Sequence, residues 1–167
     1  MFKTLLLVVF FTLSLVAYNI QLDKPSHVAT QKKEQSQHLL IRDAFKELVI
    51  DKTTGLMWQD NTDTKIIKKN QKDAKQYCRS LVFAGYDDWY LPRVKELKSI
   101  LNPKKSAPTI KKEFKNVVPR HYWTSSPNLS DTVNAINVDF ESANSYQSNR
   151  RGRAYVRCCR GHSNSLI

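Results

Sequence analysis

The chain has 167 residues, which suits one domain with a single sizeable core and an appendage but not two cores. With 41% hydrophobic and 25% charged residues, 4 Gly and 6 Pro, it is neither collagen-like, wholly disordered nor a multi-span membrane protein. Its 27 Lys+Arg against 15 Asp+Glu give a formal net charge of +12, which speaks about partners and solubility rather than fold.

Residues 1–20 carry Lys3 ahead of an apolar run from Leu5 to Val16 that only Thr12 and Ser14 interrupt. That run is shorter than the ~20 apolar residues a membrane span needs, and it has the form of a secretory signal. Ala17 fits the position before a cleavage, but Leu15 stands where a small residue is preferred, so a retained N-terminal anchor is the alternative. Either way the remainder leaves the cytoplasm, periplasmic or secreted, and nucleic acid is not expected as a partner. Residues 21–44 are rich in Gln, Lys, Ser and His with little apolar periodicity and read as a flexible linker, with a helix over 34–48 as an option. The folded domain is expected over 45–161, with 162–167 as a tail.

Phe45 to Ile50 and Leu56 to Gln59 read as the two strands of a hairpin around Asp51-Lys52-Thr53-Thr54-Gly55. Asn61 to Asn70 reads as a loop ending in an N-cap, Asn70, with Asp73 in the first turn of a helix. Ala74, Tyr77, Cys78, Leu81 and Val82 form its apolar stripe, and Gly85 stops it. A second helix follows with Pro92 at its first position, Val94, Leu97, Ile100 and Leu101 on its buried face, and Asn102-Pro103 at its end. Residues 103–120 read as loop. Beyond them the period changes to two: Tyr122 to Ser125, then Ile136, Val138 and Phe140, then Ala154, Val156 and Cys158 predict strands, with a polar loop or hairpin tip over 141–153. The order is α+β: an N-terminal hairpin, two helices and a C-terminal antiparallel sheet.

The series Gly55-Leu56-Met57-Trp58-Gln59, Asp73-Ala74, Tyr77-Cys78, Leu81, Ala84 to Pro92, Glu96-Leu97, Tyr122 to Ser126 and Val156-Arg157-Cys158 closely resembles the Lcl C-terminal domain family. The helix-then-Leu-Pro segment also resembles the formylglycine-generating, sulfatase-modifying enzymes. The resemblance implies a C-type lectin-like fold, structural roles for Trp58, Trp89, Pro92, Trp123, Ser125 and Ser126, and a Cys78–Cys158 disulfide. Arg93 departs from the family, whose members usually place a threonine there that caps the second helix. Cys159 replaces a usual aliphatic residue and is read as a buried thiol, with intermolecular pairing or reactivity as the alternatives. The family supplies no agreed catalytic residues.

No Gly-x-Ser-x-Gly elbow accompanies His121, Ser125 and Ser126, so a hydrolase is not expected. Ser126-Pro127-Asn128 and Val138-Asp139-Phe140 lack the carboxylates of a calcium-type sugar site, and Asp60, Asp63, Asp87 and Asp88 read as solvated turn and cap residues. No metal or cofactor is expected. The basic residues are the remaining signal: Lys65, Lys68, Lys69, Lys72 and Lys75 near the first helix, Lys104, Lys105, Lys111, Lys112 and Lys115 in the following loop, and Arg150, Arg151 and Arg153 near Tyr146. Guanidinium groups pair in fork geometry with sulfate, phosphate and carboxylate. The expected function is therefore an exported, non-catalytic, adhesin-like binding module. It would take an anionic glycan, lipopolysaccharide or an acidic protein surface on Arg150, Arg151, Arg153 and Tyr146, with a membrane tether through residues 1–20 if the anchor is kept. An enzyme or redox protein related to the sulfatase-modifying enzymes is the alternative.

Overall fold

The computed structural model describes residues 39–161. The expected signal or anchor over 1–20, residues 21–38 of the linker expected over 21–44, and the tail over 162–167 lie outside them. Among the described residues no helix is long and apolar enough to cross a membrane. The described residues form an α+β arrangement of nine short strands in two sheets with three helices.

The first sheet has the order β1-β2-β3-β9, all antiparallel, with β1 at Leu40–Asp43, β2 at Leu48–Asp51, β3 at Met57–Gln59 and β9 at Cys159–Arg160. The expected hairpin is β2–β3, and Gly55 turns it with a φ of +77°, where a side chain would be strained. Strand β1 corrects the reading of 21–44 as linker. It pairs Leu40 with Asp51 and Ile41 with Ile50, so folded structure begins before Phe45, and Phe45 itself sits in the β1–β2 turn rather than in a strand.

The second sheet has the order β4-β8-β5-β6-β7, with β4 at Lys68–Lys69, β5 at His121–Trp123, β6 at Asn134–Asp139, β7 at Ser145–Asn149 and β8 at Ala154–Tyr155. Strands β5 and β8 run parallel; the other pairs are antiparallel. The strand expected over Ala154–Cys159 is broken: β8 lies in one sheet, β9 in the other, and Val156, Arg157 and Cys158 cross between them fully buried. The 141–153 stretch is corrected too, since β7 pairs along its whole length with β6 at the sheet's edge.

Helix α1 (Asp63–Ile66) is a single turn within the stretch read as loop. Helix α2 (Gln71–Arg79) starts where expected, with the Asn70 side chain accepting from the Asp73 N–H at 2.9 Å. It ends earlier than the stripe suggests, because the Ser80 hydroxyl turns back onto the Gln76 and Tyr77 carbonyls and Val82 faces solvent. Helix α3 (Val94–Ser99) begins after Pro92, with Arg93 at the cap position, and closes at Ile100 rather than at Asn102-Pro103.

One apolar cluster joins the first sheet, α3 and the far side of the second sheet through Leu40, Val49, Trp58, Leu97, Ile100, Phe114, Tyr122, Val138 and Phe140. A second packs α2 onto the second sheet through Ala74, Cys78, Trp89, Trp123, Ala135, Val156 and Cys158. The Cys78–Cys158 disulfide pins α2 to the crossing segment, across a sequence separation of 80. A loop of that length is worth about 4–4.5 kcal/mol in the chain-entropy account.

Candidate functional site

The basic residues flanking α2 and those before β8 belong to one surface. Lys72, Lys75 and Arg79 recur at helical spacing beside the buried Gln71, Ala74 and Cys78, so they line one outward flank of α2. The Arg150–Arg153 loop folds against the start of that helix: the Gln71 N–H donates to the Arg150 carbonyl at 3.0 Å. On its other side β8 pairs with β4, and the Arg153 guanidinium donates to the Lys68 carbonyl at 2.8 Å. Burial first, then the nearby charges of Arg150 and Arg79, hold the Lys75 ammonium below its ordinary value. Lys69, Lys72, Lys75, Arg79, Arg150 and Arg153 thus come together, with Arg151 in the same loop, while the Lys68 ammonium lies over the Tyr155 ring at 4.7 Å on the opposite face of β4.

The arginines are braced on backbone carbonyls, and the charge of Arg150 also helps to lower the Asp131 carboxyl, after that group's hydrogen bonds from Asn134 and Val133. Arg150 donates through its guanidinium to the Asn134 carbonyl at 3.1 Å, and Arg153 to Lys68, so each keeps further donors for a ligand. These two anchors lie on different strands, β6 and β4, which spreads the positive charge instead of focusing it on one point. Between α2 and β4 runs an open groove of about 310 Å³ lined by Lys69, Asp73, Gln76, Tyr77 and Ser80. The Lys69 ammonium lies 5.6 Å from the Tyr77 ring centre. Burial pushes the Tyr77 hydroxyl up to about 12; its partners are Gln59 and Asp63.

Tyr146 belongs elsewhere. It sits across from Asn137 in the β6–β7 pair, edge-on to His121 with ring centres 5.6 Å apart. A strand rises ~3.4 Å per residue, which puts Tyr146 about 10 Å along β7 from Asn149 and the arginine loop. The Lys104–Lys115 stretch is hung from other elements, with Lys111 N–H on the Ile100 carbonyl and Lys115 N–H on the Asp60 carboxylate at 2.9 Å.

The other residues singled out from sequence are structural. Trp58, Trp89, Pro92 and Trp123 are buried, and the Trp123 indole donates to the Lys69 carbonyl at 2.8 Å, tying the core to β4. The Ser126 hydroxyl accepts from the Val94 N–H at 2.9 Å, and the Ser125 N–H donates to the Pro92 carbonyl at 2.8 Å. Ser126 therefore caps α3 from a distance, supplying the acceptor that the Arg93 side chain lacks, while Glu96 accepts from the Arg93 N–H at 2.7 Å. His121 bonds Asn137 at 2.9 Å, so His121 and Ser126 serve different elements.

Asp60 is a correction. It is fully buried rather than a solvated turn residue, and accepts from Arg157 at 3.0 Å, from Arg42, and from the Lys115 and Asn116 N–H groups. Arg157 also donates to the Gln59 carbonyl at 2.6 Å and stacks 5.0 Å from the Phe114 ring centre. Burial lowers its guanidinium to about 10, which leaves it charged at neutral pH. Alternation alone places Arg157 on an exposed strand face, and the break between β8 and β9 is what buries it. Asp88 pairs with Arg160. Among the described residues, no three His, Cys, Asp or Glu side chains gather as a metal site would require.

Cys159 is free and buried. Burial, and then the Glu96 carboxylate, push its thiol well up, against a hydrogen bond from Tyr90 that favours the thiolate.

The Lcl C-terminal domain family matches residues 47–160, most of the chain and both sheets except β1. The chain belongs to that family. No curated protein matches it. The Lcl C-terminal domain match spans the disulfide, the three buried tryptophans and Ser126, together with the α2 and β7–β8 loop that carry the basic surface.

Proposed function

We propose that this Lcl C-terminal domain protein is an exported, non-catalytic binding module that recognises an anionic glycan, lipopolysaccharide phosphate or acidic protein surface. The observation that carries the reading is the closure of the Arg150–Arg153 loop onto α2, which turns two separate basic stretches into one surface. Exposed cations side by side repel one another, and a bound polyanion relieves that repulsion; Lys75, lowered first by burial, also feels the charges of Arg150 and Arg79. Spread anchoring of Arg150 and Arg153 favours a ligand with several charges over a lone ion.

We read the scaffold as C-type lectin-like. A helix bridged by a disulfide to the terminal strand segment, with long polar loops outside a stapled core, supports that reading. The rival reading, a redox enzyme akin to the sulfatase-modifying proteins, calls for a reactive low-pKa thiol. Cys159 is sealed in the core with its thiol pushed the opposite way.

Binding to immobilised heparin, with dextran sulfate as competitor, tests the reading. Changing Arg150, Arg151 and Arg153 together to alanine should weaken binding about tenfold at low salt, if each exposed contact is worth roughly 0.5 kcal/mol. Binding of the unaltered protein should also fall steeply as salt rises. Unchanged binding after the triple substitution overturns the assignment of the site.

A further inference from the structure

The β1–β2 hairpin carries an apolar surface that the binding function leaves unused. Of the large hydrophobic side chains exposed among the described residues, Leu39, Ile41 and Phe45 fall within one seven-residue segment. Phe45 is fully exposed at the hairpin tip, and the turn that presents it is fixed, since the Asp43 carboxylate accepts from the Phe45 and Lys46 N–H groups at 3.1 and 3.0 Å. Strand register puts Ile41 opposite Ile50, and Ile50 opposite Met57, on the sheet face away from Val49 and Trp58. Along β1, Ile41 is 44% exposed and Leu39, at the end of the hairpin away from the tip, 60%. Lys46 and Lys52 flank it, with Glu47 at the neck of the turn.

A fixed aromatic on a convex tip, with aliphatic neighbours and flanking lysines, suits the interface of a lipid bilayer. The ring and aliphatic groups enter the acyl boundary while lysine stems reach the phosphates. The chain's own layout supplies the occupant. Residues 17–38 are all that separate the apolar N-terminal run from Leu39, and even fully extended they span at most about 80 Å. The hairpin is the first folded element after them, so an N-terminal anchor would hold this face beside the membrane at high effective concentration.

We propose that the β1–β2 hairpin docks on the bilayer surface, with Phe45 inserted at the lipid interface, a proposal that rests on the reading of residues 1–20 as a retained anchor. Docking this hairpin leaves the α2 and Arg150–Arg153 surface, carried by other elements, to its own ligand.

Phe45→Trp in the full chain tests it, because Trp58, Trp89 and Trp123 are each no more than 2% exposed and hence shielded from lipid. The probe is a vesicle of phosphatidylcholine containing brominated phosphatidylcholine, whose lack of net charge does not draw the basic surface. A Leu129→Trp variant, equally open to solvent on the β5–β6 loop, is the control. The expected result is a chain that floats with the vesicles, a blue shift of the emission from the indole introduced at the hairpin tip and loss of most of that emission to brominated lipid, with the control unquenched. Flotation without quenching of the hairpin probe overturns docking and leaves the anchor standing. Failure to float overturns the anchor reading and docking with it. Equal quenching of both probes, or a blue shift and dimerisation without lipid, also overturns the proposal. Heparin binding by the same variants reads the basic surface separately.

Discussion

Arg157 shows how one residue can hold several segments at once. Its guanidinium reaches the end of β3 at Gln59, the Asp60 carboxylate and the Asn116 carbonyl, while Asp60 itself is shared with Arg42 from β1. Such a pair gives little net stability over an apolar one, yet removing one partner strands a buried charge. Arg157→Ala should cost about 3–5 kcal/mol, read as a lower urea midpoint, with Asp60→Asn also destabilising. Little of this is legible in the sequence. Asp60 follows a Gln and precedes an Asn, which reads as a turn, and Arg157 falls on the polar side of an alternating run. A buried ion pair leaves no local signature because its partners lie about a hundred positions apart in the chain. The arginine loop is legible as a cluster of like charges, but its closure on α2 is not.

Elements with strong periodicity or clear turn chemistry are readable: α2 with its Asn70 cap and the β2–β3 hairpin stand where the pattern puts them. Those that depend on neighbours are not. Strand β7, Ser-Tyr-Gln-Ser-Asn, has no apolar alternation because it is an edge strand covered on neither side, and only its backbone pairing with β6 makes it a strand. Strand β1 is masked by the polar run before it. The start of α3 reads as weakly capped because Arg93 cannot accept a hydrogen bond through its side chain, and the structure supplies the acceptor from Ser126. Ser126→Ala should therefore lower stability by about 1 kcal/mol in thermal or urea unfolding. Arg93→Thr should restore most of that loss in the Ser126→Ala protein and add little to the unaltered one, since both hydroxyls serve the same helix end. Equal effects of Arg93→Thr in the two backgrounds would show that Ser126 is not the cap.

The molecule as a whole carries several acidic groups that folding holds in their protonated form. Burial is the leading cause for Cys159, Tyr77, Tyr90 and Tyr122, all of which are raised, Tyr77 to about 12. The ordinary values are 9.0 for the thiol and 10.0 for the phenols, so the unfolded chain releases these protons first. Stability should be flat up to about pH 8 and fall progressively above pH 9, continuing through the pH at which the folded groups ionise. Lys75 and Lys111, lowered chiefly by burial, act in the opposite direction but are only partly buried. Thermal unfolding across pH 7–11 checks this, and Cys159→Ala should delay the onset of the fall. An unchanged onset would mean that the thiol is not the first group to titrate. The crossing of Val156, Arg157 and Cys158 from one sheet to the other has a different kind of consequence. Strand β8 fills an interior place between β4 and β5, β9 completes the first sheet, and Cys158 is the partner that Cys78 awaits, so the earliest and latest segments of the domain close on each other. A chain delivered from its N-terminus therefore has no self-sufficient half: until residue 160 emerges, both sheets are unfinished and Cys78 remains a thiol. The folding unit of this domain is therefore the whole span from β1 to β9, and no fragment that lacks the crossing segment holds a complete sheet or a closed disulfide.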